Sequence, residues 1–228
     1  MLGIYDSGSG GLTALSALRA LAPRANILYR GDLLRAPYGT RSREELLPII
    51  RENLTLLRRL GAEQILVACM TASSLIHLLP KQEQKGVTPI IDCVAERAIA
   101  TTRTGRVGIV STTRTMREGR LRDRLLSHNI QPTESVGDAL VPLAERGEIF
   151  KESPEVRRAI ADAVAVHQRA GVDTLILGCT HFPYFTDAFR EALGDEVHLI
   201  PSGEVGAEEF FTRLPKNVLQ GKGHIHFI

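Results

Sequence analysis

One pattern constrains this chain more than any other. The segment Arg59-Leu60-Gly61-Ala62-Glu63-Gln64-Ile65-Leu66-Val67-Ala68-Cys69 is matched in residue type, without a gap, by Arg169-Ala170-Gly171-Val172-Asp173-Thr174-Leu175-Ile176-Leu177-Gly178-Cys179. Each copy reads as a helix end, a glycine stop, a buried strand and then a cysteine. A second correspondence joins Gly3-Ile4-Tyr5-Asp6-Ser7 to Gly108-Ile109-Val110-Ser111-Thr112, where each strand delivers hydroxyl residues into the loop that follows. A chain that repeats strand, loop and helix units in this way folds as two similar halves.

The fold class follows from what lies between the repeats. Short apolar runs at 2–5, 26–29, 64–68, 90–92, 107–110, 175–177 and 197–200 alternate with helix-length segments at 11–22, 42–60, 115–128 and 154–170. Strands that are apolar throughout and separated by helices pair in parallel and are covered on both faces. The expected architecture is therefore α/β, with two similar domains built on parallel sheets and boundaries near Ala95 and Ile200. Residues 1–95 with 205–228 form the first domain and 96–204 the second. Ser42 with Glu45 reads as a capping box, and Ser153 precedes a proline at the first helical position.

Composition excludes several function classes. The 228 residues are 43% hydrophobic, enough for a real core, and Lys+Arg exceed Asp+Glu by only 28 to 26. The basic residues, such as those of Arg114–Arg124, lack interleaved aromatics and read as solvated faces rather than a nucleic-acid surface. No apolar run approaches the ~18 residues of a membrane span, and no charged-then-apolar leader precedes Leu2. A cytoplasmic protein is expected. Three widely spaced cysteines do not make a disulfide framework, which leaves reactive thiols open.

In open parallel sheets, ligands bind beyond the carboxyl ends of the strands, where the repeat puts Cys69 and Cys179. If the halves face each other, both thiols line one cleft. A single cysteine after a buried strand reads most simply as a small hydrophobe. Two at repeated positions, followed by Met70-Thr71 and Thr180-His181, point to chemistry. A free thiol near pKa ~8.5 needs a nearby acceptor, cation or helix N-terminus to act as a base, and His181 stands two residues from Cys179. The loop Asp6-Ser7-Gly8-Ser9-Gly10-Gly11-Leu12-Thr13 lets backbone approach an anion, but its glycine spacing fits neither standard nucleotide fingerprint. Asp6 ends a strand and either faces the cleft or caps the helix. Zinc at the two thiols lacks a closely spaced Cys or His pair to complete four ligands. Cys93, after Ile91-Asp92 at a strand end, has no counterpart in the repeat and reads as structural. His224 and His226 alternate on a short tail.

These residues also carry a family resemblance. Asp6-Ser7-Gly8 with Gly10-Gly11-Leu12-Thr13, Pro37-Tyr38-Gly39, Ala68-Cys69 with Thr71-Ala72, Val141-Pro142-Leu143 with Glu145, Leu177-Gly178-Cys179-Thr180-His181 with Pro183, and Ser202-Gly203-Glu204 together resemble the glutamate racemases of the aspartate/glutamate racemase superfamily. The match runs in order over nearly the whole chain. The resemblance implies two domains related by a pseudo-twofold, an active site between them, and D-glutamate for peptidoglycan as the product. It implies that Cys69 and Cys179 are the catalytic thiols, with Asp6 assisting the first and His181, with Glu145 nearby, the second. Ser7, Thr71 and Thr180 match positions that hold the substrate's amino and carboxylate groups, and Pro37, Tyr38 and Gly39 match the loop beside them. No cofactor and no metal are implied, and family members are often dimers.

The resemblance breaks at Met70, where glutamate racemases ordinarily carry asparagine in contact with the substrate's head group. The stretch Val136–Leu140 also lacks the family's usual Ala-Cys-Pro, and the chain ends somewhat early. Leaving a substrate group unpaired in a dry site costs about 1–3 kcal/mol. Three readings therefore stand at this point: a glutamate racemase, a racemase of another acidic or polar amino acid such as aspartate, and a non-catalytic binding relative.

Overall fold

A computed structural model describes residues 1–228. The first half runs β1 (Leu2–Asp6), α1 (Leu12–Leu21), β2 (Ile27–Gly31), α2 (Arg43–Arg59), β3 (Gln64–Val67), α3 (Met70–Ser73), α4 (Lys81–Gln84), β4 (Val87–Pro89) and α5 (Ile90–Thr101). The second runs β5 (Val107–Ser111), α6 (Thr113–Glu118), α7 (Arg120–Leu126), β6 (Thr133–Val136), α8 (Leu140–Glu145), α9 (Pro154–Ala170), β7 (Thr174–Gly178), α10 (Thr186–Leu193), β8 (His198–Pro201) and α11 (Ser202–Thr212). A last strand, β9 (Ile225–Phe227), closes the chain.

The sheets share one topology. Strand order is β4-β3-β1-β2-β9 in one and β6-β5-β7-β8 in the other, and every pairing is parallel. Read from the opposite edge, the second sheet is β8-β7-β5-β6, the same path as β4-β3-β1-β2. The register repeats as well: Ile4 lies opposite Leu66, and its counterpart Ile109 lies opposite Ile176, the counterpart of Leu66. Strands β1, β5 and β7 are buried along their whole length, which is why they read as unbroken apolar runs. The additional strand β9 joins β2 in parallel, so the C-terminal tail completes the first sheet.

Several local expectations hold for stated physical reasons. Ser42 accepts a hydrogen bond from the Glu45 amide while the Glu45 carboxylate accepts from the Ser42 amide, so both orphan donors at the start of α2 are satisfied. Pro154 opens α9, and Gly171 closes it in the left-handed region at φ 60°. Three expectations are corrected. Residues Ile90–Asp92 are the first turn of α5 and the strand before them is Val87–Pro89; an apolar triplet does not distinguish the two states. Cys93 consequently lies inside that helix, fully buried, not at a strand end. The single helix expected over 115–128 is two, because Gly119 adopts φ 70° between α6 and α7.

The halves meet on a helical spine formed by α1, α5 and α11. The approach is close: a Cβ placed on Gly203 would lie 2.0 Å from Thr13 Oγ1 on α1, so only glycine fits. Away from this spine, the carboxyl ends of both sheets open onto a common space.

Candidate active site

That space is a cavity of about 610 Å³. From the first half it is lined by Ser7 after β1, by the Pro37-Tyr38-Gly39 loop after β2, and by Cys69, Met70 and Thr71 after β3. From the second half come Glu145 at the end of α8 and Cys179, Thr180 and His181 after β7. Asp6 lies behind this wall, fully buried. All three cysteines are free; Cys69 and Cys179 share the cavity and Cys93 does not line it.

The surroundings of the two thiols differ. Cys179 Sγ lies 3.8 Å from His181 Nδ1, and the other ring nitrogen of His181 makes a short contact with Glu145. A carboxylate accepts only, so Glu145 holds the Nε2–H of His181 and turns Nδ1 toward the thiol. Thiol, imidazole and carboxylate thus form a chain running from buried Cys179 to the half-exposed Glu145. Cys69 instead donates to the Ser7 hydroxyl at 3.4 Å. Asp6 makes its bonds elsewhere: Oδ1 accepts from the Gly8 amide at 2.8 Å and Oδ2 from Thr180 Oγ1, across the cleft, at 3.0 Å.

Burial sets the protonation. It pushes the Cys69 thiol up to about 12, with the Asp6 charge adding to the rise, and it pushes Cys179 upward too. Burial likewise raises Asp6 above the ordinary carboxylate range, against the opposing pull of His181. At neutral pH, without a cationic ligand, both thiols therefore hold their protons. A group carrying positive charge into the cavity favours the thiolate and the Asp6 carboxylate together.

Tyr38 contributes through its backbone and its ring, not its hydroxyl. The ring is buried, and its hydroxyl donates to Asp32 Oδ2 at 2.5 Å and contacts Tyr5 at 2.7 Å. Hydrogen bonds from Tyr38, Asn53 and Arg35 outweigh burial and hold Asp32 below the usual carboxylate range. This network anchors the Pro37–Gly39 loop. Met70 is buried in the core shared by the sheets and the spine, and its thioether forms part of the cavity wall.

Residues absent from the site read out of the sequence also reach the cavity. Thr112 and Thr115 line it, and their hydroxyls form a triangle with Thr71: 3.3 Å for Thr71–Thr112, 3.1 Å for Thr71–Thr115 and 3.0 Å for Thr112–Thr115. The signal for Thr112 was present, because the repeat pairs it with Ser7. Ser9 donates to Glu145 at 3.3 Å, and Tyr184 donates to the Ser9 carbonyl at 3.3 Å, tying the glycine-rich loop to the second half.

Two parallel α/β lobes, each delivering a thiol from an equivalent strand end into one shared cavity, are the architecture of the family whose model this chain matches. The chain belongs to the Asp/Glu/Hydantoin racemase family, whose model matches residues 15–210. The glutamate racemase of Deinococcus radiodurans is 36% identical over 230 residues, covering 97% of this chain and 76% of that one. Among solved structures, glutamate racemase isoform RacE1 from Bacillus anthracis superposes with a TM-score of 0.91 at 29% identity, covering 100% of this chain and 86% of that chain. Glutamate racemase from Thermus thermophilus in complex with β-chloro-D-alanine does so with a TM-score of 0.84 at 30% identity, covering 100% and 85%. No helix is long and apolar enough to cross a membrane.

Proposed function

We propose that this chain is a cofactor-independent glutamate racemase that interconverts L- and D-glutamate by two-base proton transfer and supplies D-glutamate for peptidoglycan in the cytoplasm. The observation that carries the reading is the placement of Cys69 and Cys179, one from each sheet, on a single cavity. Inverting an α-carbon needs a base on one face and an acid on the other. In one direction a Cys69 thiolate takes the α-proton and the Cys179 thiol delivers its own to the opposite face. In the other direction the roles exchange, and each turnover leaves the pair in the complementary protonation state.

The substrate ammonium favours the thiolate in a site where burial otherwise suppresses it. His181, held by Glu145, accepts and returns the Cys179 proton. Asp6, close enough to Cys69 for its charge to act on the thiol, assists that thiol, and Thr180, bonded to Asp6 across the cleft, receives the ammonium. Negative charge developing toward the α-carboxylate meets the hydroxyls of Ser7 and Thr71 and the polar loop of Pro37, Tyr38 and Gly39. Fixed donors of this kind carry the stabilisation that a cofactor would otherwise supply. The capture of a chlorinated D-alanine by the Thermus thermophilus relative supports a small amino acid as ligand. Residues 1–95 with 205–228 act as one unit, 96–204 as the other, and two copies associate as a homodimer.

The test is α-proton exchange in deuterated water across enantiomerically pure amino acids, read by mass and chirality together. Glutamate is expected to gain deuterium with inversion from either enantiomer. Inversion of aspartate or another amino acid in place of glutamate would overturn the substrate, and exchange with none would overturn the enzymatic reading.

A further inference from the structure

Away from the helical spine, the two halves meet again, between α2 and α6, through a charged contact that the reaction itself does not use. Arg43, the first residue of α2, directs Nε (3.1 Å) and Nη2 (2.7 Å) onto Oε2 of Glu118, the last residue of α6. The second oxygen, Oε1, accepts from Arg114 of the same helix at 3.0 Å. Glu118 is therefore held in its own half by Arg114 and offers its free oxygen to Arg43 of the other half. Its side chain is 2% exposed while that of Arg43 is 47% exposed, so a buried acid anchored on one lobe receives an arginine reaching in from solvent. Charge-assisted bonds of this geometry are the strong ones.

What the contact joins is two walls of the site. Arg43 lies just beyond the Tyr38–Thr40 turn, with Arg41 and Ser42 between them, and that turn packs against α6. The start of α6 carries Thr112 and Thr115, whose hydroxyls meet Thr71, and a Cβ on Gly39 would come within 3.6 Å of Thr112. Opening the lobes about the spine must separate these walls, and the Arg43–Glu118 bond resists that separation.

We propose that Arg43 and Glu118 form an interlobe latch that positions the Tyr38–Thr40 wall against the Thr112–Thr115 wall and sets how often the cavity, with its two thiols, is open to solvent. Its effect on turnover rests on the racemase reading; its effect on thiol exposure does not. Both are positioning residues, acting on the ligand only through these walls.

The readout is the rate at which iodoacetamide labels each cysteine in the full-length protein, resolved by peptide mass. Cys93, fully buried in α5 on the spine side, is the internal control. Arg43→Ala leaves Glu118 paired with Arg114 and is expected to speed labelling of Cys69 and Cys179 by about fivefold, the opening shift that the loss of one such bond produces. Glu118→Gln should do the same. The double variant should exceed neither single one, because both break the same Arg43–Glu118 contact, and Arg43→Lys should fall between Arg43→Ala and the unmodified protein. Unchanged labelling of Cys69 and Cys179 would overturn the latch. So would an equal rise at Cys93, since that reports general loosening. Should the unmodified protein fail to racemise glutamate while labelling follows this pattern, the functional reading falls and the latch stands.

Discussion

The two halves carry the same scaffold to the same place and then diverge within two residues. After β3 the chain reads Cys69-Met70-Thr71; after β7 it reads Cys179-Thr180-His181. Met70 turns into the core where Thr180 turns across the cleft to Asp6, and Thr71 joins a cluster of hydroxyls where His181 joins Glu145. One thiol thus has an imidazole–carboxylate pair beside it and the other has a hydroxyl neighbour. The reaction is symmetric because enantiomers in water are equal in free energy, so kcat/KM must be the same in both directions whatever the surroundings. Repetition of the scaffold brings two thiols to one cavity. Divergence after each thiol gives the two different neighbours.

The comparison breaks most sharply by removing one thiol. Cys69→Ala and Cys179→Ala should each lower racemisation by about 10²–10⁴-fold, the range of a lost general acid or base. Each should still exchange the α-proton of one enantiomer, returning it to the same face, and the enantiomer should differ between the two variants. Proton NMR of pure L- and D-glutamate in deuterated water reads this directly; the same enantiomer surviving in both variants would place the thiols on one face.

The next effect separates the surroundings of the two thiols. His181→Asn should lower racemisation by about 10²-fold, because Cys179 loses its acceptor. In the Cys69→Ala background, where exchange runs through Cys179 alone, it should abolish that residual exchange. In the Cys179→Ala background it should leave exchange largely intact. Equal losses in both backgrounds would mean that His181 serves the whole cavity and not one thiol.

A third contrast lies away from the site, where the halves are superposable but the core is not. His167 in α9 occupies the place of Leu57 in α2, fully buried against Gly108 as Leu57 lies against Gly3. Its Nε2 contacts Ser135 Oγ at 2.7 Å, Ser135 donates to the Ala163 carbonyl at 2.7 Å, and Nδ1 has no partner. Burial lowers the imidazole from 6.5 to about 4. Below pH 6.5 the unfolded chain takes up a proton that the folded chain refuses until pH 4. Stability is therefore complete above 6.5 and falls as the pH drops through this window, by on the order of 3 kcal/mol. Chemical denaturation between pH 7 and 4 should show this loss, and His167→Leu should flatten it. An unchanged slope in the variant would assign the acid sensitivity to other groups.

The smallest expected effect concerns the residue that departs from the family pattern. Met70→Asn should raise kcat/KM for glutamate by about tenfold, if an amide there meets a polar group of the substrate. Measuring glutamate and aspartate together sharpens the result: a gain on glutamate alone supports the proposed pose, and a loss on both means the thioether is needed as packing.

Much of this protein was legible before any coordinates. The strands β1, β5 and β7 are buried along their whole length and β3 along all but its first residue, so each reads as an apolar run, and their repetition set the two-lobed design and the address of both thiols. The capping box at Ser42 and the glycine at the end of α9 were equally local, since the residues that satisfy those backbone groups lie within one turn of them. What escaped had weak local signals. The edge strand β6, Thr133–Val136, is only partly buried and accordingly polar, and β9 is short, so neither has a long apolar run. The break at Gly119 looked like an interior residue of one helix, and the apolar triplet at Ile90 fitted strand and helix alike. Tertiary structure alone decided the pairings across the cleft, namely Thr180 with Asp6, Ser9 with Glu145, Thr71 with Thr112 and Thr115, and Arg43 with Glu118. Each depends on the angle at which two separately specified lobes pack on their shared spine. That angle is set by side chains such as Thr13 against Gly203, far apart in the chain, and no periodicity or neighbouring residue records it.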